Sequence, residues 1–177
     1  MTPSREPRPP ETDIMDRQMR TDRQPDHTHP ATGHRPDVRS ARPAGRWEFT
    51  VADELPVLRR SVTEAAARSA KLNADGPNGS ATHHNLALVT TELATNALKY
   101  GVEPGVVRLH RLPAGWLVDV ADGRADQAPR PQAPVPGRPG GNGLLIVSML
   151  SVRWGWYVDS NSTPRKHVWA ELADPEK

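Results

Sequence analysis

Apolar and polar positions change rhythm several times along the chain, and each change marks an element. From Arg46, the residues Trp47, Phe49 and Val51 fall on one side and Glu48 and Thr50 on the other, the two-residue period of a half-buried strand. Asp53 then offers an N-cap with Pro56 in the first turn, and Leu55, Leu58, Val62 and Ala65 recur at helical spacing. Asn73 to Ser80, containing Asp75-Gly76-Pro77-Asn78-Gly79, reads as a loop. A second helix follows from about Ala81 to Tyr100, and Gly101 ends it as a left-handed cap would. Val106 to Leu112 and Trp116 to Val120 read as a hairpin turned by Pro113-Ala114-Gly115, with Asp122 just past it. Five prolines and four glycines between Gly123 and Asn142 exclude regular structure there, and a loop of that length suits a lid over a ligand. Gly143 opens an apolar helix ending at Leu150. Strands around Arg153 to Val158 and Lys166 to Leu172, joined by a turn from Asp159 to Pro164, complete a mixed sheet. All five tryptophans fall in these strands, where a core role is the default. Trp154 and Trp156 share one strand face, which suits either the core or a surface between two copies.

The first 45 residues lack this rhythm. Ile14, Met15, Met19 and Val38 are their only larger aliphatic residues, too little apolar area to offset the entropy of ordering the segment. The expectation is a disordered tail over 1–45 and one folded domain over 46–177. Eight arginines stand against seven acidic residues in the tail, so it is neither a polybasic arm nor an acidic decoy. His27, His29 and His34 make a short His-rich tract that suits a metal or a solvated linker, the linker being the simpler reading. Met15 and Met19, one helical turn apart, suit either folding on a partner or plain disorder.

Composition narrows the function classes. With 177 residues and 36% hydrophobic content the chain can bury one core of ordinary size. A net charge of +2 is too small to imply direct nucleic-acid binding. The absence of cysteine excludes disulfides, thiolate metal sites and cysteine nucleophiles, and fits a reducing compartment. No apolar run reaches the roughly 18–20 residues of a membrane span, and the start of the chain carries no hydrophobic leader. A cytoplasmic protein without membrane contact is expected.

Two stretches carry chemistry. In Glu92-Leu93-Ala94-Thr95-Asn96-Ala97-Leu98-Lys99, offsets of four and seven residues set a carboxylate, an amide and an ammonium along one helical stripe. A solvated helix face has the same look. Asn96 argues against it, because asparagine is a mediocre residue inside a helix and its neighbours here are apolar. Gly140-Gly141-Asn142-Gly143 leads directly into a helix start, where unpaired amides and the positive end of the helix dipole favour an anion. It is not a P-loop, since no Gly-Lys-Ser or Gly-Lys-Thr follows, and it is not a dinucleotide fingerprint.

The order of these pieces, an acid-and-Asn helix, a hairpin ending in Asp122, a long loop, glycines opening a helix and a closing hairpin, resembles the Bergerat-type (GHKL, histidine-kinase-like) ATP-binding domains. Glu92-Leu93-Ala94-Thr95-Asn96-Ala97 is similar to that superfamily's first motif, Val120-Ala121-Asp122-Gly123 to its second and Gly141-Asn142-Gly143-Leu144 to its third. The resemblance spans about residues 46–172 and implies an α+β fold, a two-layer α/β sandwich whose mixed, mostly antiparallel five-stranded sheet is covered by about three helices on one face. It implies ATP with magnesium as cofactors: Asn96 as magnesium ligand, Glu92 as general base, Asp122 accepting from the adenine amino group, and Gly141, Gly143 and Leu144 holding phosphates. Lys99 would stabilise phosphoryl charge or simply face solvent. Two departures stand out. Arg124 and Asp126 replace the glycines two and four residues after Asp122, with Gly123 displaced, and His167 stands where relatives place a threonine near adenine. Length and the absence of an upstream phospho-accepting histidine favour the small anti-sigma-factor serine kinases over complete histidine kinases; His83 and His84, at the start of the first-motif helix, suit loop or solvent contacts. The implied function is a protein serine/threonine kinase acting on a small anti-sigma-factor antagonist, with a sigma factor as further partner and a homodimer as assembly. The alternative is a non-catalytic module in which nucleotide orders the lid from Gly123 to Asn142 and so shapes a partner surface. A third, weaker reading gives partner binding to the Arg-rich tail.

Overall fold

The computed structural model describes residues 31–71, 79–130 and 141–174. In chain order the elements are β1 (Ala31–Thr32), β2 (Arg42–Phe49), a single 3-10 turn (Ala52–Glu54), α1 (Leu55–Lys71), α2 (Gly79–Tyr100), β3 (Gly105–Leu112), β4 (Gly115–Asp122), α3 (Gly143–Leu150), β5 (Arg153–Val158) and β6 (Lys166–Ala173). The strands form one sheet in the order β1-β5-β6-β4-β3-β2. All neighbours are antiparallel except the two-residue β1, which runs parallel to β5 and makes the sheet mixed. The expected α+β two-layer sandwich is therefore the architecture, with five long strands and three helices. No helix of the described residues is long and apolar enough to cross a membrane.

Strand alternation decides which side chains meet the helices. Val107 and Leu109 of β3, Trp116, Val118 and Val120 of β4, Trp154 of β5, and Val168, Ala170 and Leu172 of β6 are buried in one core. Against them lie Leu58, Val62, Ala65 and Ala66 of α1 and Leu86, Val89, Leu93, Ala94 and Ala97 of α2, spaced three or four apart as a helical stripe requires. Each fully buried Val or Leu here contributes roughly 1.5–3 kcal/mol relative to exposure. Trp154 is buried in this core and Trp156, partly buried, packs against it.

Several boundaries differ from expectation. Within the expected tail, residues 31–45 carry β1 and the start of β2: these strands lie at opposite edges of the sheet, so residues 33–41 cross its helix-free face as a strap. Trp169 Nε1 donates to the His34 carbonyl at 2.9 Å, and the Arg35 guanidinium lies 5.0 Å from the centre of the Tyr157 ring. These contacts use a backbone oxygen and a cation on an aromatic face, which hydrophobic periodicity does not register. β2 begins at Arg42 because it is an edge strand that tolerates Pro43, with a register shift between Pro43 and Gly45. Val51 is exposed rather than inward, and Asp53 is no cap. Instead the Glu54 carboxylate accepts from the amides of Thr50 at 2.6 Å and Val51 at 3.2 Å, and these bonds hold it below its ordinary pKa. β4 reaches Asp122, which is its last residue. The expectations for Ile14, Met15, Met19, His27 and His29, for most of the 73–80 loop, and for 131–140 of the lid concern positions outside the described residues.

Candidate functional site

One cleft of about 340 Å³ opens between α2, the ends of β4 and β6, the segment 127–130 and the start of α3. The helical stripe delivers what its spacing promised: Glu92, Asn96 and Lys99 all line this cleft, together with Thr95 and Tyr100 of the same helix. Leu93 and Ala97, on the adjoining stripe, are buried in the core and form part of the wall. Asn96 therefore sits where the apolar face of α2 meets the cavity.

The floor comes from two strands. Asp122 and Lys166 are opposite partners in the β4–β6 ladder, as are Val120 and Val168, and all four line the cleft. Asp122 Oδ2 lies 3.2 Å from Lys166 Nζ, with the side chains 3% and 6% exposed, so this is a buried ion pair at the cavity wall. Asp122 Oδ1 accepts from the Arg124 amide at 2.8 Å. Gly101 makes room for the carboxylate: a methyl there would lie 2.5 Å from Asp122 Cγ. That close approach, and not the expected left-handed cap, is the reason for glycine, since Gly33 and Gly141 are the positive-φ glycines among the described residues.

The opposite wall is the α3 N-terminus. Gly141 has φ of 94°, a conformation few other residues adopt readily. The first helical bond is donated by Ile146 to the Asn142 carbonyl at 2.9 Å, which leaves the amides of Gly143, Leu144 and Leu145 without helical partners. Gly141, Asn142, Gly143 and Leu144 line the cavity. Gly143 permits the closest approach, because a methyl there would lie 2.6 Å from Glu92 Oε2 and 3.5 Å from Asn96 Nδ2. Carboxylate, amide and free backbone donors thus meet at one end of the cleft, and the Asp122–Lys166 pair lies on its strand floor.

No protein-family model matches the chain, and no curated protein matches it. The chemistry of the cleft has to be read from its own residues.

Two of the expected site residues lie elsewhere. Gly123 is not part of the cleft wall; its amide donates to the Val102 carbonyl at 2.7 Å and fastens the end of β4 to the turn after α2. His167 faces the helix-free side of the sheet, because the two-residue period that turns Lys166 and Val168 to the cleft turns the residue between them away. There its Nδ1 lies 3.0 Å from both Asp119 oxygens and its Nε2 3.3 Å from Asp159 Oδ2, while the Tyr157 ring stacks on it at 4.5 Å. Burial, helped by the Asp119 charge, pushes the Tyr157 hydroxyl up to about 12. Burial works against ionisation of Asp159, but the Arg165 amide and His167 outweigh it and hold the carboxyl below its ordinary value. This buried polar cluster is structural support behind the floor of the cleft. Conversely, Lys166 lines the cleft without being among the expected site residues; its signal is a cation at an inward position of a strand that otherwise reads Val168, Ala170, Leu172 on that face. Thr95, Tyr100 and Arg130 were also missed, the last because a Pro-rich loop has no period to place it.

Proposed function

We propose that the chain is a Bergerat-type ATP-binding domain of the small anti-sigma-factor serine kinase branch, a cytoplasmic bacterial regulator. It takes ATP with magnesium and phosphorylates a serine or threonine of a small antagonist protein, with a sigma factor as second partner. The observation that carries the reading is the convergence of Glu92, Asn96, Asp122, Gly141 and Gly143 on one cleft, from three separate elements.

The residues present fit the nucleotide. Free amides at the start of α3, with Lys99 at the same cleft, suit phosphate oxygens. Val120, Val168 and Ala97 offer apolar walls for a base, and Asp122 an acceptor for its amino group. Among the described residues no group of three His, Cys, Asp or Glu side chains would hold a metal unaided. Magnesium would therefore arrive with the phosphates, taking the Asn96 amide oxygen as a protein ligand and keeping waters for the rest. Bound there, it supplies neutralisation of phosphate charge. Glu92 accepts the proton of the attacking hydroxyl and orients it, Lys99 balances charge on the transferred group, and the remaining requirement is positioning.

Labelled ATP incubated with a candidate antagonist tests this. Glu92→Ala should abolish transfer and retain ATP binding; unchanged phosphorylation removes the general-base role. Loss of ATP binding in the presence of magnesium is expected for Asn96→Ala, and wild-type protein that binds no ATP at all overturns the reading. One observation favours the rival of a nucleotide-gated binding module without turnover. The Glu92 carboxylate lies against Gly143, at the phosphate seat. Nucleotide-dependent partner binding with no labelled product would decide for that rival.

A further inference from the structure

The cleft holds one buried charged group that the assignment above leaves idle. Lys166 is 6% exposed in its side chain and stands on a strand face otherwise occupied by Val168, Ala170 and Leu172. Its ammonium carries three donors. Among the described residues its one polar partner is Asp122, at 3.2 Å. A buried cation with unused donors is costly to keep, and a hydrophobic side chain would pack this position at no such cost. The idle donors border the cavity: Lys166 lines it, opposite Asp122 in the ladder and two residues from Val168, which is itself opposite Val120. An acceptor and a donor therefore stand side by side at the end of an apolar slot.

We propose that Lys166 reads the nucleotide base, donating a hydrogen bond to N1 of adenine while Asp122 accepts from the adjacent 6-amino group. This rests on the nucleotide reading of the cleft and adds the residue that sets its base specificity. Adenine's edge presents one donor and one acceptor next to each other, the complement of the pair. A 6-oxo purine in the same pose sets a carbonyl oxygen against the Asp122 carboxylate and an N1–H against the Lys166 ammonium, two mismatches at once. Guanine turned to reverse them must leave the pose that adenine takes and crowd two donors, in place of one, onto a carboxylate that Lys166 and the Arg124 amide already engage. An unpaired polar group facing a buried charge is penalised heavily, so discrimination is expected to be steep.

Calorimetric titration of ATP, of an ATP analogue with C–H in place of N1, and of GTP tests the assignment on wild type, Lys166→Met and Lys166→Gln. Wild type should bind the N1-lacking analogue about ten-fold or more weakly than ATP, the usual size for a lost bond to a charged donor. Lys166→Met should bind the two alike, and Lys166→Gln, whose amide still donates, should keep part of the preference. Equal binding of ATP and the analogue by wild type overturns the proposal, as does full preference retained in Lys166→Met or tighter binding of GTP than ATP. The wild-type comparison needs no variant, so a variant that fails to fold does not blunt the test. Failure of this pattern with ATP still bound refutes base reading by Lys166 alone, whereas wild type that binds none of the three refutes the nucleotide site and this proposal together.

Discussion

Lys166→Met leaves the Asp122 carboxylate, 3% exposed, without the ammonium that lies 3.2 Å from it. Two unit charges at that distance attract by roughly 5 kcal/mol at an effective dielectric constant of about 20. Desolvating each ion offsets most of that, which is why replacing both partners of a buried pair with apolar groups is often close to neutral while removing one costs about 3–5 kcal/mol. Here the Arg124 amide still holds Oδ1 at 2.8 Å and the cleft admits water, so the single variant belongs at the low end, about 3 kcal/mol. Asp122→Leu with Lys166→Met keeps the branching of the Asp122 side chain beside Gly101 and should fall within about 1 kcal/mol of wild type. Urea denaturation followed by tryptophan fluorescence measures all of these, since the five tryptophans sit in the strands that β4 and β6 organise. The difference should persist in 1 M salt, where the screening length is about 3 Å and only exposed charges lose their interaction. A single-variant cost below about 1 kcal/mol, or one that disappears in salt, refutes the reasoning: the pair would then be solvated.

Gly143→Ala places its methyl against the mobile end of Glu92 at a residue outside the left-handed region, so stability should hold or rise by about 0.4–1 kcal/mol while phosphoryl transfer falls; melting curves beside the labelled-ATP assay check both halves. Gly101→Ala meets the Ala97 carbonyl and the tethered Asp122 instead, and should cost about 1–3 kcal/mol in the same urea experiment. Tyr157 stays neutral in the fold to about pH 12 but ionises near its ordinary 10.0 when unfolded, so its stabilisation is present below pH 10 and is lost as pH rises toward 12; ultraviolet titration should show a late phenolate step that Tyr157→Phe removes. Burial holds the His110 ring below its ordinary 6.5, so the unfolded chain protonates first and stability declines as pH falls below 6.5; His110→Leu should flatten that part of the stability profile.

The elements that bury a stripe were legible in the sequence because burial imposes a period. Leu86, Val89, Leu93 and Ala97 announce α2, and the same stripe fixes where Glu92, Asn96 and Lys99 face. Legibility fails where stabilisation is not apolar. The strap from Gly33 to Ala41 is held by a carbonyl and a guanidinium, and reads as a tail. Gly101 was recognised as necessary for the wrong reason, since backbone strain and close approach leave the same letter in a sequence. Analogy of position places His167 at the cleft, whereas the core residues Val168 and Ala170 fix the parity that turns it away.

That parity makes β4 and β6 the decisive pair. One face of their ladder carries Asp122 and Lys166, and the other carries Asp119 and His167, diagonal neighbours across the same two strands. A register slip of one residue would exchange the faces, sending an imidazole and the Trp169 indole into the core and the Lys166–Asp122 pair out to the strap. The polar cluster on the far side therefore bears on the site without touching it. Its hydrogen bonds, the stacked Tyr157 ring and the strap's bond to Trp169 are satisfied in one register alone, and the penalty for orphaning buried polar groups enforces that register. The strap belongs to the machinery that places Asp122 opposite Lys166, by opposing the slip on the face that has no helices.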